Sequence, residues 1–231
     1  MKRITIWDLP TRIFHWALLA LVSAAIISAQ MGGNAMAWHG RFGVGVLGLL
    51  AFRLTWGMIG STYARFMTFV RGPATIRAYL RGQWQGLGHN PLGGLSVLAM
   101  LAVLLIQGLT GLFADDDIAF QGPYALLVSN DASAWLTGLH KNNAWLVGLL
   151  IAAHLAAIAY HLRVKNDNLV KPMLLGYKDV PRNTSQPTTG GGGIVALIIA
   201  VSVGAGALWV ANGGLARLYA APLPPASSAP A

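Results

Sequence analysis

The sequence predicts an all-α integral membrane protein: a four-helix transmembrane bundle followed by a fifth, C-terminal transmembrane helix. Three observations predict it. Of 231 residues, 55% are hydrophobic and 10% charged, with a mean hydropathy of +0.56, whereas a soluble domain carries about 25% charged residues. Five segments, 11–30, 40–59, 92–113, 142–163 and 193–212, are apolar over the roughly 20 residues that a spanning helix needs. The Lys and Arg residues also sort to one side of the chain that these spans imply.

Taken in order, the first span follows Lys2 and Arg3 and could pass for a signal peptide with a cleavage site at Ser28-Ala29. The polar turn Trp7-Asp8-Leu9-Pro10 and the presence of Arg12 and His15 inside the run argue for a retained helix, with Pro10 in its first turn. The second span is rich in glycine in its early turns (Gly40, Gly43, Gly45, Gly48). These positions either admit a flat ring or let another helix approach closely. Loop 60–91 holds Pro73–Gly82, where Ile76, Tyr79 and Leu80 oppose Arg77 and Arg81. It reads as a short basic helix at the membrane surface or as a solvated connector. The fourth span is the most unusual, because it carries His140, His154 and His161 in an otherwise apolar run. The Gly190–Gly193 run predicts a flexible join to the fifth span, which looks like an appendage to a four-helix core. The expected division is a membrane domain over 1–180, a flexible linker over 181–192, an added helix over 193–212 and a disordered tail of Ala, Pro and Ser over 213–231.

Orientation follows from the cations. Lys2, Arg3 and Arg12, then Arg65, Arg71, Arg77 and Arg81, then Arg163, Lys165, Lys171, Lys178 and Arg182 fall on one side if five spans alternate. The other side has Asp115, Asp116, Asp117 and Asp131 against Lys141. The positive-inside rule places the first side in the cytoplasm, with the N-terminus cytoplasmic and the C-terminal tail outside it. The net charge of +9 therefore belongs to loop placement. No interleaved basic and aromatic pattern points to nucleic acid.

The chain has no cysteine. Disulfides, iron–sulfur ligation, a thiolate zinc site and covalent haem attachment are excluded, so any cofactor must be held by His, Met or oxygen. Polar side chains within a membrane mark function by default. His140 and His154 are separated by about 1400° of helical rotation, roughly 40° short of four turns, and by about 21 Å of rise, so they share a face at two depths. His39, at the start of the second span, matches His140 near the outer surface. His15, early in the first span, matches His154 near the cytoplasmic surface. Each pair can supply both axial ligands of an iron porphyrin, and facing helices of a bundle are where such groups sit. That makes the expected fold a di-haem bundle with two haem b groups.

Arg41 and Lys141 flank the outer pair, where haem propionates need cations. Arg53 shares the face of His39 at the depth of the inner pair, and either meets a propionate or snorkels to the interface. His161 lies on the same face as His154 and competes with it as a ligand. His89 reads as a loop residue and is left out of the haem sites.

With these residues in view, the chain resembles the bacterial di-haem cytochrome b561 group, which includes the cytochrome b subunits of nickel-iron hydrogenases. The resemblance rests on WDLPTRIFHW (7–16), WHGRFGVGVLGLLAFRLTWGMIGSTYARF (38–66), FVRGP (69–73), GHNPLGGLSVLAM (88–100), LTGLFADDD (109–117) and TGLHKNNAWLVGLLIAAHLAAIAYH (137–161). It covers about residues 5–178 and implies two bis-His haems on helices one, two and four, at His15, His39, His140 and His154. It further implies electron exchange between a quinone near the cytoplasmic-side haem and a redox partner outside. Asn90 and His154 are candidates near the quinone, although Asn90 serves equally well as a helix cap. Asp115–Asp117 either help to dock a basic partner such as a c-type cytochrome or form a solvated loop.

Three rival readings stand beside this one. A proton-coupled transporter would need acidic groups inside spans two to five, and none is there. A membrane anchor for a peripheral dehydrogenase or hydrogenase subunit is compatible with the same residues. A quinol oxidase acting on oxygen would need an open iron position. Whether the chain counts as an enzyme, as part of a quinone–cytochrome c oxidoreductase, stays open at the level of sequence.

Overall fold

A computed structural model describes residues 1–219 except 85 and 119. The expected tail from 220 onward lies outside the described residues. Among the described residues five helices are long and apolar enough to cross a membrane, as the sequence predicts.

The chain begins with strand β1 (Lys2–Thr5) and enters α1 (Leu9–Met31). Asp8 caps α1: its Oδ1 accepts from Thr11 N at 2.7 Å and its Oδ2 from Trp56 Nε1 at 3.0 Å. One carboxylate thus satisfies an orphan helix N–H and joins the start of α1 to the end of the next span. Gly32 and Gly33 have positive φ angles of 64° and 51°, the backbone freedom that turns the chain into α2 (Met36–Ile59) within one short 3₁₀ turn.

Loop 60–91 contains the short helix α3 (Phe66–Phe69) and α4 (Pro73–Leu80), so of the two readings of Pro73–Gly82 the structure has the helical one over its first eight residues. Asn90 caps α5 (Pro91–Gly111), its Oδ1 accepting from Gly93 N at 2.7 Å.

The fourth span, α6, runs from Asn130 to Arg163. It starts well before the expected 142 because Ser129 caps it through a bond to Ala132 N and no glycine or proline interrupts 130–137. Its 34 residues make about 50 Å of helix, longer than a hydrocarbon core of about 30 Å. The outer loop is correspondingly shorter than 114–141.

Helix α7 (Val170–Leu175) then leads into β2 (Tyr177–Val180), which pairs antiparallel with β1, Lys2 opposite Val180 and Thr5 opposite Tyr177. The linker 181–192 has no helix or strand of its own, yet it is tied down. Thr189 N bonds to Thr5 O, Thr62 N to Gly190 O, and Ser61 bridges Gly191.

The last span, α8 (Gly193–Ala211), packs on α2 more extensively than the word appendage suggests. A Cβ at Gly48 would stand 3.2 Å from Gly204 O, and one at Gly204 3.0 Å from Gly48 O. Such contact is open only to small residues, which is how helices adhere in lipid. A further turn of helix, α9 (Gly214–Tyr219), occupies the start of the segment expected to be disordered.

Helix α2 is central, touching α1, α5 and α8, while α6 packs chiefly on α5. The core between them is formed by Phe14, Val46, Leu50, Leu101, Leu104 and Val147. The outward faces of the spans expose residues such as Ile27, Leu149 and Ile194, the surface of a multi-pass membrane protein that meets lipid. One end carries the N-terminus, loop 60–91 and 163–192 and is called the basic end below; the other carries Asp115–Asp117 and is called the acidic end.

Candidate functional site

The four predicted histidines meet in two pairs, one from α2 and α6, the other from α1 and α6. At the acidic end the rings of His39 and His140 have centroids 5.9 Å apart and planes at 90°. At the basic end His15 and His154 are 6.5 Å apart with planes at 50°. Two imidazoles bound on opposite sides of one metal atom through bonds of about 2 Å have centroids about 6 Å apart, so both pairs have the spacing that a shared axial metal requires. Among the described residues no three His, Asp or Glu side chains converge as a bare metal ion would need. A porphyrin, which brings its own four nitrogens, asks the protein for only two ligands.

The two pairs differ in what lies behind the rings. At the acidic end His39 Nδ1 is 2.9 Å from Ala25 O and His140 Nδ1 2.9 Å from Gln107 O. A carbonyl only accepts, so both rings donate from Nδ1 and carry their lone pair on Nε2, which in His140 meets the Gln107 amide nitrogen. Thr110 Oγ1 stands 3.3 Å from His140 Nδ1, and the Gln107 amide nitrogen 3.1 Å from His140 Nε2. Buried Asn143, one turn after His140, donates to Gln107 Oε1 at 2.7 Å and to Val103 O at 3.0 Å. A Cβ at Gly111 would lie 3.0 Å from His140 Cε1, so that glycine makes room for the ring. At the basic end, His15 Nδ1 is buried with no hydrogen-bond partner among the described residues.

Other expected residues distribute unevenly. Arg53 is 2% exposed and does not snorkel; its guanidinium lies 4.9 Å from the Phe66 ring centroid and 6.0 Å from that of Phe14, and Nη1 is buried with no partner. Arg41 is exposed and stacks on Trp38 at 4.7 Å, and Lys141 is exposed. Asn90 acts as the cap of α5, and its Nδ2 is 3.5 Å from His161 Nε2. His161 faces Asn90 and, at 3.5 Å, Tyr79 of α4; the ring opposite His15 belongs to His154. Of the four glycines in the early turns of α2, Gly48 packs on α8, Gly45 on Leu21 and Gly40 on Phe120, while Gly43 has no described neighbour within 4 Å of a Cβ. Asp115 and Asp116 hold their own loop: Asp115 accepts from Asp117 N and Gln121 Nε2, and Asp116 from the N–H groups of Ile118 and Phe120. Phe120 in turn lies edge-on to His39 at 6.2 Å.

Sequence reasoning missed His89 and the Gln107–Thr110–Asn143 group. His89 is clasped between Trp7 at 4.6 Å and Phe69 at 4.5 Å, with Nδ1 buried and unpartnered. Burial, with smaller contributions from the charges of Arg53 and His154, pushes its pKa down to about 3, so the ring is neutral. His89 also lines a cleft of about 700 Å³ at the basic end, beside Tyr63, Trp84, Arg71 and Pro187. The signal for the second group was present: Gln107 and Thr110 are polar residues one turn apart in an apolar span, and Asn143 follows His140 by one turn.

A family model described as prokaryotic cytochrome b561 matches residues 6–176. No curated protein and no solved structure matches the chain.

Proposed function

The chain belongs to the prokaryotic cytochrome b561 family, helical membrane proteins that pass electrons through b-type haem, and from that premise we propose that it holds two such haems and links the quinone pool to a redox partner on the far side of the inner membrane. Residues 1–180 form the cytochrome unit and α8 is an addition packed on α2. His15 and His154 would hold one haem, His39 and His140 the other. Arg53, buried against Phe14 and Phe66, would be the cation for a propionate of the first; Arg41 and Lys141 are the cations nearest in sequence to the second pair. The haem iron supplies reversible one-electron chemistry, and the chain supplies its ligands, their orientation and a dry surround.

The basic end lies in the cytoplasm by the distribution of Lys and Arg. A quinone works at that end, near His154, with Asn90, His161 and the cleft beside His89 as its neighbourhood. The partner docks at the acidic end, as a c-type cytochrome or as the electron-handling subunit of a hydrogenase or another dehydrogenase. Asp117 adds negative charge to that face, while Asp115 and Asp116 are also engaged in closing the loop.

The observation that carries this reading is the pair of ring separations, 5.9 and 6.5 Å, from four histidines on three helices. The test is a reduced-minus-oxidised visible spectrum of the purified protein with haem counted per chain. A b-type band and two haems are expected; no such band would end the reading, and one haem would remove one of the two pairs.

A further inference from the structure

The cleft at the basic end is closed on one side by a part of the chain that the family match does not include. That match ends at residue 176, whereas Gln186 and Pro187 line the cleft together with His89. They belong to the stretch between β2 and α8, which is bound on both sides of them. Lys2 Nζ donates to Thr184 O at 2.6 Å, and Thr5 N to Thr188 Oγ1 at 3.2 Å. Thr189 N donates to Thr5 O and Thr62 N to Gly190 O, each at 2.8 Å. At the cleft itself the Tyr63 hydroxyl donates to Pro187 O at 2.6 Å. Gly192 then passes so close to Trp56 that a Cβ would stand 2.8 Å from its ring. Helix α8 follows, seated on α2 through Gly48 and Gly204. The stretch is therefore a strap with fixed points at β1, at loop 60–91 and at the fifth span, and its two cleft residues lie between those points.

The lining suits a flat head with an apolar tail. Tyr63, Phe69, Trp84 and His89 bring four rings to the cleft, and flat groups pack well on such faces. Met67 also lines it and is 91% exposed, so an apolar side chain runs from the cleft out to the surface. Donors for the oxygens of a head come from the Arg71 guanidinium, one nitrogen of which bonds to Thr68 O, and from the Gln186 amide. Rings with a few placed polar groups are the ordinary make-up of a small-molecule site.

We infer that Gln186 and Pro187 are contact residues of the quinone site, so that the fifth span and its strap, which lie beyond the family match, complete the site. The inference rests on the quinone reading above and goes further in naming the wall that sets the width of the site. It also gives α8 a role: the tight seam with α2 holds the strap, and the strap holds the wall. A quinone with a bulkier head must displace Gln186 or stay out, so the strap selects among quinones.

The chain has no cysteine, so Gln186→Cys gives the full-length holoprotein a single thiol. Its rate of labelling by a maleimide in detergent is measured with and without decylubiquinone or dimethylnaphthoquinone, whose quinone rings leave a thiol no open position to attack. Ser185→Cys, at the exposed neighbouring residue, is the control. Either quinone is expected to slow labelling at 186 and leave 185 unchanged, with haem per chain as in the wild type. Gln186→Trp should weaken quinone binding, read by calorimetry, by about tenfold or more. Tyr63→Phe, which frees Pro187 O, should weaken it by about fivefold. Should Gln186→Trp fail to fold, the two cysteine variants carry the test. Labelling at 186 that ignores quinone, in a protein whose calorimetry shows binding, would overturn this inference alone, and so would equal slowing at both positions. A wild type that binds neither quinone would overturn it together with the quinone reading beneath it.

Discussion

The acidic-end pair and the basic-end pair have nearly the same ring spacing and almost nothing else in common. His39 and His140 are held from behind by carbonyls, a threonine and the Gln107–Asn143 amide contact. His15 and His154 stand among aromatic residues, with a buried arginine and a neutral third histidine close by. One site fixes its rings by hydrogen bonds; the other fixes them by packing. Equal ring spacings therefore need not make equal sites, because the neighbours of an imidazole decide its tautomer, its basicity and its freedom to move.

The largest effect should come from removing a ligand. His154→Leu is expected to abolish the basic-end haem and leave the acidic-end one intact, read as half the haem per chain and loss of one component of the spectrum. Unchanged haem content would transfer the ligand role to His161. Next comes Asn143→Leu, which takes the Asn143 donor from Gln107 Oε1. Outer-shell losses of this kind cost about 10- to 100-fold in metal-group affinity, so haem retention should fall at the acidic end only, measured by challenging the holoprotein with apomyoglobin.

The neutral His89 makes a pH prediction. Its folded pKa of about 3 lies below the ordinary value near 6.5, so the unfolded state binds the proton more readily. Stability from this residue is complete above about pH 6.5 and declines as pH falls toward 3. Thermal denaturation in detergent between those limits should show a decline that His89→Phe flattens. The smallest effect is at the acidic end: Asp116→Ala removes the acceptor for Ile118 N and Phe120 N, loosening the loop by about 1 kcal/mol per bond. Because Phe120 lies edge-on to His39, a small shift in the acidic-end spectrum should follow, with the basic-end component unmoved.

Much of this was legible in the sequence. Spans reveal themselves by composition because lipid tolerates little else, and the depths of His15, His39, His140 and His154 follow from counting along straight helices. What the sequence hid depends on partners distant in the chain. Nothing near Lys2 announces Tyr177–Val180 as its strand partner. The tight seam of Gly48 with Gly204 joins residues from opposite ends of the chain, and a glycine-rich helix alone does not reveal which neighbour it admits. His89 looked like a loop residue because only the fold brings Trp7 and Phe69 to either side of it. The start of α6 was misplaced because Asp131, Ser133 and Thr137 lower its hydropathy without lowering its helicity.

The β1–β2 pairing also sets an order of events during synthesis. Residues 2–5 cannot meet 177–180 until the ribosome has released everything through the fourth span. Until then the N-terminal end of α1 lacks its clasp, and His15 waits for His154 on a helix made far later. The last of the two strands to be made therefore latches the first, and any chain cut short before residue 177 would hold the first span only by the Asp8–Trp56 bond and its packing on α2.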